Sequence, residues 1–185
     1  MKRGTLARLT IWAAPLAAVL LVPTQAWALD QLSGGVSLGG FQVGAVPRLA
    51  LSPHVAVSWL MKSDFLVSLH DQCSFLPPTD AVGIGFYNQA SISIGFSSRT
   101  AIFSAGPELA IYSMTTCGQT LCGRVVGVAL GGHAQADVYV AGRPLGISVS
   151  ANADWVGGSS LVIPGGVAVM VLAGPVLRWR TNERD

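Results

Sequence analysis

Residues 124–139 read Arg-Val-Val-Gly-Val-Ala-Leu-Gly-Gly-His-Ala-Gln-Ala-Asp-Val-Tyr. The even positions, Val126, Val128, Leu130, Gly132, Ala134, Ala136 and Val138, are apolar after Arg124. The odd positions end in His133, Gln135, Asp137 and Tyr139. A period of two sustained this long means one extended strand with a greasy face and a polar face. Soluble strands run about 5–6 residues, whereas strands that cross a bilayer in a barrel need roughly 9–11 at a tilt.

The same punctuated alternation recurs along the chain. It predicts eight strands near 33–51, 55–62, 65–73, 85–96, 100–113, 124–139, 145–156 and 166–180. Ser52-Pro53-His54, Lys62-Ser63-Asp64, Ser97-Ser98-Arg99 and Ala141-Gly142-Arg143-Pro144 read as tight turns, and 74–84, 114–123 and 157–165 as longer loops. Short and long connections take turns from the third strand onward, as in outer-membrane barrels. One face carries residues such as Val55, Val57, Ile92, Ile94, Ile147, Val149 and Val171. The other carries Ser68, His70, Gln72, Ser91, Glu108, Ser148 and Ser150. Alternation alone does not say which face points inward.

Composition favours a lipid-facing apolar side. Half of the chain is hydrophobic and 11% is charged, well below the about 25% of soluble proteins. The polar-face residues are mostly small, and Lys62 is the one lysine after residue 28; a solvated face would be rich in Lys and Glu. No stretch after residue 28 is long and apolar enough for a transmembrane helix, so a closed barrel is the way to satisfy the backbone in lipid.

Lys2, Arg3 and Arg8, the apolar run Leu9–Val22 and Ala26-Trp27-Ala28 form the n-region, h-region and cleavage site of a secretory leader. Residues 1–28 are expected to be removed, leaving 29–185 as a single barrel domain. The excess of basic groups resides in the leader, so the remainder carries a slight net negative charge and nucleic acid is not implied as a partner.

Together these features resemble the small outer-membrane β-barrels of Gram-negative bacteria, the class typified by the membrane domain of OmpA and by OmpX. The resemblance is architectural and covers residues 29–185, with no family-specific motif. It implies a closed antiparallel eight-stranded meander in the cell outer membrane, with outer-membrane lipid as its surroundings and the barrel assembly machinery as its partner in biogenesis. One departure stands out: such chains usually end on an aromatic residue, and here Trp179 is followed by Arg180 to Asp185.

The candidate site is the polar face, read as a lumenal network of Glu108, His133, Gln135, Asp137, Asn152, Asp154, Arg178 and Arg180. Buried charges of this kind satisfy one another, and an eight-stranded interior is just wide enough for side chains, so no permanent pore is expected. Asp137 and Asp154 are expected to find their counter-charge in Arg178. Trp59, Tyr112, Trp155 and Trp179 are expected as interfacial aromatics. Cys117 and Cys122 are expected to form a disulfide at a loop tip; Cys73 paired with one of them, or a metal site, are the alternatives.

No G-x-S-x-G elbow is present, nor a closely spaced His-x-Ser pair of the kind shared by outer-membrane lipid deacylases, and no cofactor is implied. The first functional reading is therefore a non-enzymatic structural or surface-interaction protein. The alternatives are a soluble ligand-binding barrel and, third, a lipid-modifying hydrolase acting through His133.

Overall fold

The computed structural model describes residues 29–44, 46–61, 64–79, 82–117, 122–157 and 166–181. Eight strands follow one another: β1 (Gln31–Val43), β2 (Val46–Leu60), β3 (Phe65–Leu76), β4 (Val82–Ser97), β5 (Ala101–Cys117), β6 (Cys122–Tyr139), β7 (Leu145–Val156) and β8 (Gly166–Arg180). Each pairs antiparallel with its sequence neighbour, and β1 closes on β8 into a barrel. The expected leader, residues 1–28, lies outside the described residues, as does 158–165 of the last loop.

The two faces point in opposite directions, and the structure says which is which. Val138 and Ile147 are 57% and 63% exposed, while Asp137 and Ser148 beside them keep 1% and 2%. Carboxylates, histidine and glutamines line the lumen and branched aliphatics cover the outside. That is inside out for a water-soluble barrel, which overturns the soluble alternative. Asp71 and Asn88 are polar exceptions on the outer wall of β3 and β4, opposite Ala90 and Cys73.

Three connections differ from the sequence reading. Ser52-Pro53-His54 is not a turn: it lies inside β2, with Ser52 buried and Pro53 outward. The chain reverses at Gly44, whose φ of 61° suits glycine. The expected loops 74–84 and 114–123 shrink to 77–81 and 118–121, because β3 runs on to Leu76, β4 starts at Val82, and β5 and β6 extend to Cys117 and from Cys122. Strands of 12 to 18 residues thus rise past the hydrocarbon they must cross.

Proline survives inside these strands because the ladder yields locally. Bridges to β3 stop at Leu51↔Phe75 and resume at His54↔Gln72, skipping Pro53. The β4–β5 ladder likewise skips Pro107, and the β1–β8 ladder skips Pro175. A residue without an N–H cannot donate to a neighbour on that side.

The strands are staggered as well as paired. Stepping across the ladder from Ser33 through Ala56, His70, Ser91, Glu108, Gly131, Asp154 and Ala168 returns to β1 at Val43, ten residues further along. This shear sets the strand tilt and the height at which each inward side chain enters the lumen.

Candidate functional site: the polar lumen

The lumen is layered. Toward the loop end it is plugged by an apolar cluster that includes Phe41, Leu76, Tyr87, Tyr112, Met170 and Leu172. Phe41 and Tyr87 pack at 5.2 Å between ring centroids and Tyr87 stacks on Tyr112 at 6.1 Å. At that rim Arg48 Nη2 donates to the carbonyls of Leu76, Pro77 and Gly83 at 3.1, 2.8 and 2.6 Å, tying β2 to the β3–β4 connection. At the rim that carries both termini, a smaller cluster of Leu66, Ile102, Tyr139 and Val176 lines the mouth.

Between the clusters runs a hydrogen-bonded band. The Tyr87 hydroxyl donates to Asp154 Oδ2 at 2.8 Å. Gln89 Nε2 donates to Glu108 Oε1 at 2.5 Å, and Gln72 Nε2 donates to Gln89 Oε1 at 2.7 Å. Asn152 Nδ2 donates to the other Glu108 oxygen and lies 2.9 Å from His133 Nδ1. His133 Nδ1 is 3.6 Å from Glu108 and its Nε2 is 3.3 Å from Gln135 Oε1. Gln135 then donates to Asp137 Oδ1 at 2.8 Å, and the Tyr139 hydroxyl to Asp137 Oδ2 at 3.0 Å. Inward positions of one strand are two residues apart, so β6 alone supplies the run His133, Gln135, Asp137, Tyr139.

Six of the eight expected network residues, Glu108, His133, Gln135, Asp137, Asn152 and Asp154, therefore meet in the lumen. The two arginines do not join them. Arg178 Nη2 donates to the Arg99 carbonyl at 2.6 Å, and its guanidinium lies 3.9 Å above the Tyr139 ring. Arg180 is exposed and donates to the Ser98 carbonyl at 2.7 Å. The stagger explains the missing pairs: across from Asp154 on β8 stands Ala168, and Arg178 is ten residues further toward the terminal rim. Neutral amides and phenols, not arginine, hold the carboxylates.

Sequence reasoning passed over Tyr87, Gln89 and Arg48, although Gln89 and Tyr87 stand in phase with Ser91 and Ser93. It also placed His54 in a turn, whereas His54 faces the lumen, so all three histidines of the chain do. His70 Nε2 is 2.8 Å from Ser68 Oγ and 3.5 Å from Ser104 Oγ, and its ring lies 5.0 Å from that of His133.

Among the expected interfacial aromatics, Trp155 and Trp179 are 64% and 50% exposed, near the loop end and the terminal rim respectively. Trp59 faces out, part-buried, at the terminal end of β2. Tyr112 is a correction: it is buried inside the plug, in phase with Glu108 and Ala110. Cys117 stands opposite Cys122 in the β5–β6 ladder; their side chains lie outside the described residues. Cys73 is a free thiol on the outer wall. Among the described residues, no group of three or more His, Cys, Asp or Glu is placed to hold a metal ion.

No family model and no curated protein matches this sequence. Its fold is similar to three solved outer-membrane barrels. Neisserial surface protein A (NspA) matches at 10% identity and TM-score 0.55, covering 80% of this chain and 96% of that one. The N-terminal β-barrel domain of Pseudomonas aeruginosa OprF matches at 11% and 0.55, covering 82% and 98%. The outer membrane enzyme PagL matches at 13% and 0.52, covering 78% and 98%. The chain is an eight-stranded transmembrane barrel of the architecture that these outer-membrane proteins share.

Proposed function

We propose that this chain is an integral outer-membrane protein of structural or surface-interaction type, exported by the leader in residues 1–28 and without enzymatic activity. The observation that carries the reading is the inverted exterior: exposed Ile, Val, Leu and Phe cover the strands, while Ser, Gln, His, Asp and Glu side chains are buried inside. An even strand count puts both termini on one side, which in a Gram-negative envelope is the periplasm. The loops around 77–81, 118–121 and 157–165 then face outward. The apolar cluster inside the loop end of the lumen supports a filled interior without a permanent pore as part of the same reading. Lipid is the surrounding medium and the assembly machinery the partner in biogenesis.

Fractionation tests it. The protein should stay in the membrane pellet through carbonate and high-salt washes, and the folded form should migrate differently from the boiled form on gels. Recovery in the soluble periplasmic fraction would end the proposal.

A second reading, a lipid-acting hydrolase, is favoured by the fold likeness to the enzyme PagL and by the Ser68–His70 contact. Against it, that contact and His133 face the lumen, away from lipid. An ester-hydrolase activity on phospholipid or lipid A substrates that His70→Ala or His133→Ala abolishes would establish it.

A further inference from the structure

The outer wall is apolar through its middle, with one exception on β3 and β4. Two aromatic pairs bracket that stretch. Phe65 packs on Phe96 at the terminal end, 6.0 Å between ring centroids, and Phe75 on Phe86 toward the loops, at 5.5 Å. Between the pairs, on outward positions of the same two strands, stand Asp71, Cys73 and Asn88. Asp71 lies six residues from Phe65 and four from Phe75 on a strand of 12 residues, which puts its carboxyl well inside the hydrocarbon layer. Among the described residues, the other polar groups of the outer wall, Gln42, Ser113, Thr115 and Arg124, sit near the loop ends of their strands.

The wall around Asp71 offers it no counter-charge. Across the ladders it faces Val55 on β2 and Ala90 on β4, and among the described residues its one donor is the backbone N–H of Gln72. The ladder to β2 is interrupted beside it at Pro53, so Cys73 has no bridge on that side. A carboxyl, a carboxamide and a broken ladder are each costly in lipid, and ionisable groups at such depth mark contacts with partners. Lipid tails carry no donor; a protein at the same depth does. The relief is also low. Pro53 and Ala90 are exposed, and Ala90 and Cys73 are small, so a second wall can come close.

We propose that the β3–β4 wall is the contact face of a homodimer within the membrane, with Asp71 near its two-fold axis. Copies inserted in the same orientation are related by an axis along the membrane normal. Such an axis preserves depth, so like residues meet across it. The like pairs are compatible. Asn88 amides both donate and accept, and two Asp71 carboxyls can hold one proton between them, an O–H donating to the facing carboxylate. A different protein that answered Asp71 with Lys or Arg would carry, when unbound, the most costly lipid-facing group of all. A second copy needs no such residue. The dimer rests on the reading of this chain as an integral membrane protein. Loss from the membrane pellet would sink that reading, whereas a membrane-held monomer would sink the dimer alone.

The test is resonance energy transfer between barrels folded in liposomes. Cys73, Cys117 and Cys122 are replaced by alanine in the full-length barrel, and Thr100→Cys, in the exposed turn between β4 and β5, carries a donor dye on half of the molecules and an acceptor on the rest. Folding is checked by the boiled-versus-unboiled gel shift. Transfer should persist when lipid is added until chance encounters no longer contribute. Asp71→Leu should abolish that persistent transfer, and Asn88→Leu should weaken it. Ala151→Leu, on the exposed wall of β7, should leave it unchanged. Transfer that falls to the chance level on dilution would overturn the dimer and leave Asp71 to a different protein. Persistent transfer that neither Asp71→Leu nor Asn88→Leu reduces would overturn this face as the contact. Two disruptive positions keep the test decisive if one variant does not fold.

Discussion

Among the side chains of the lumen, Glu108 is held on both sides. Both of its oxygens accept amide N–H groups, from Gln89 and Asn152, with His133 alongside. Glu108→Ala removes the acceptor and takes one partner from each of two buried amides, Gln89 and Asn152. It should destabilise the barrel by about 3 kcal/mol, read as a shift in the urea midpoint in liposomes. Arg178→Leu should cost much less, about 1 kcal/mol, because its bonds are to turn carbonyls at a rim that water reaches. Equal losses for the two would contradict the network described above. Most of the lumenal residues were legible from the sequence, because phase identifies an inward position regardless of chemistry. The errors came from trusting residue type over phase. Tyr112 was read as an interfacial anchor although it alternates with Glu108 and Ala110. Arg178 was read as a counter-ion because the sequence carries no record of the stagger that separates it from Asp154.

For the strands, the misread element was β2. Pro53 and its neighbours look like turn residues, and within a period-two pattern proline normally ends a strand. The barrel instead spaces its prolines over three different seams, β2–β3, β4–β5 and β1–β8, and gives up ladder bonds at each. Two of the prolines follow an inward glycine. At Gly106 a Cβ would run into the Ile92 carbonyl oxygen, and at Gly174 into that of Val36. The neighbouring backbone occupies the space a side chain would need. Gly106→Ala should therefore destabilise by about 1–3 kcal/mol, and Gly132→Ala, outward and with room around it, should stay near neutral in the same melts. The loops were overestimated for a related reason: small and polar residues such as Gly83 and Thr115 read as connections, yet both sit within strands.

The whole molecule is an apolar cylinder, and its depth profile can be measured. Ala151 lies midway along β7, and Leu145 at its terminal end. Arginine placed on a lipid-facing wall costs about 2–4 kcal/mol at the midplane and about 0–1 near the interface. Ala151→Arg should thus lower the urea midpoint in liposomes far more than Leu145→Arg. Equal, small effects at both positions would mean that this wall meets water.

The seam between β1 and β8 also governs the order of events in assembly. Gln31 stands opposite Arg180, so the first strand finds one of its two partners only when the last has arrived. Until then β1 and β8 each present a row of unpaired amides and carbonyls beside greasy side chains, a template for association with other chains. Contacts this distant in sequence are slow to form. Closure of the ring is therefore expected to be the late, rate-limiting event. A melt-and-refold experiment that follows β1–β8 contact should see it lag behind the β5–β6 hairpin, and the open-edged intermediate is the species a chaperone or an insertion machine would have to shield.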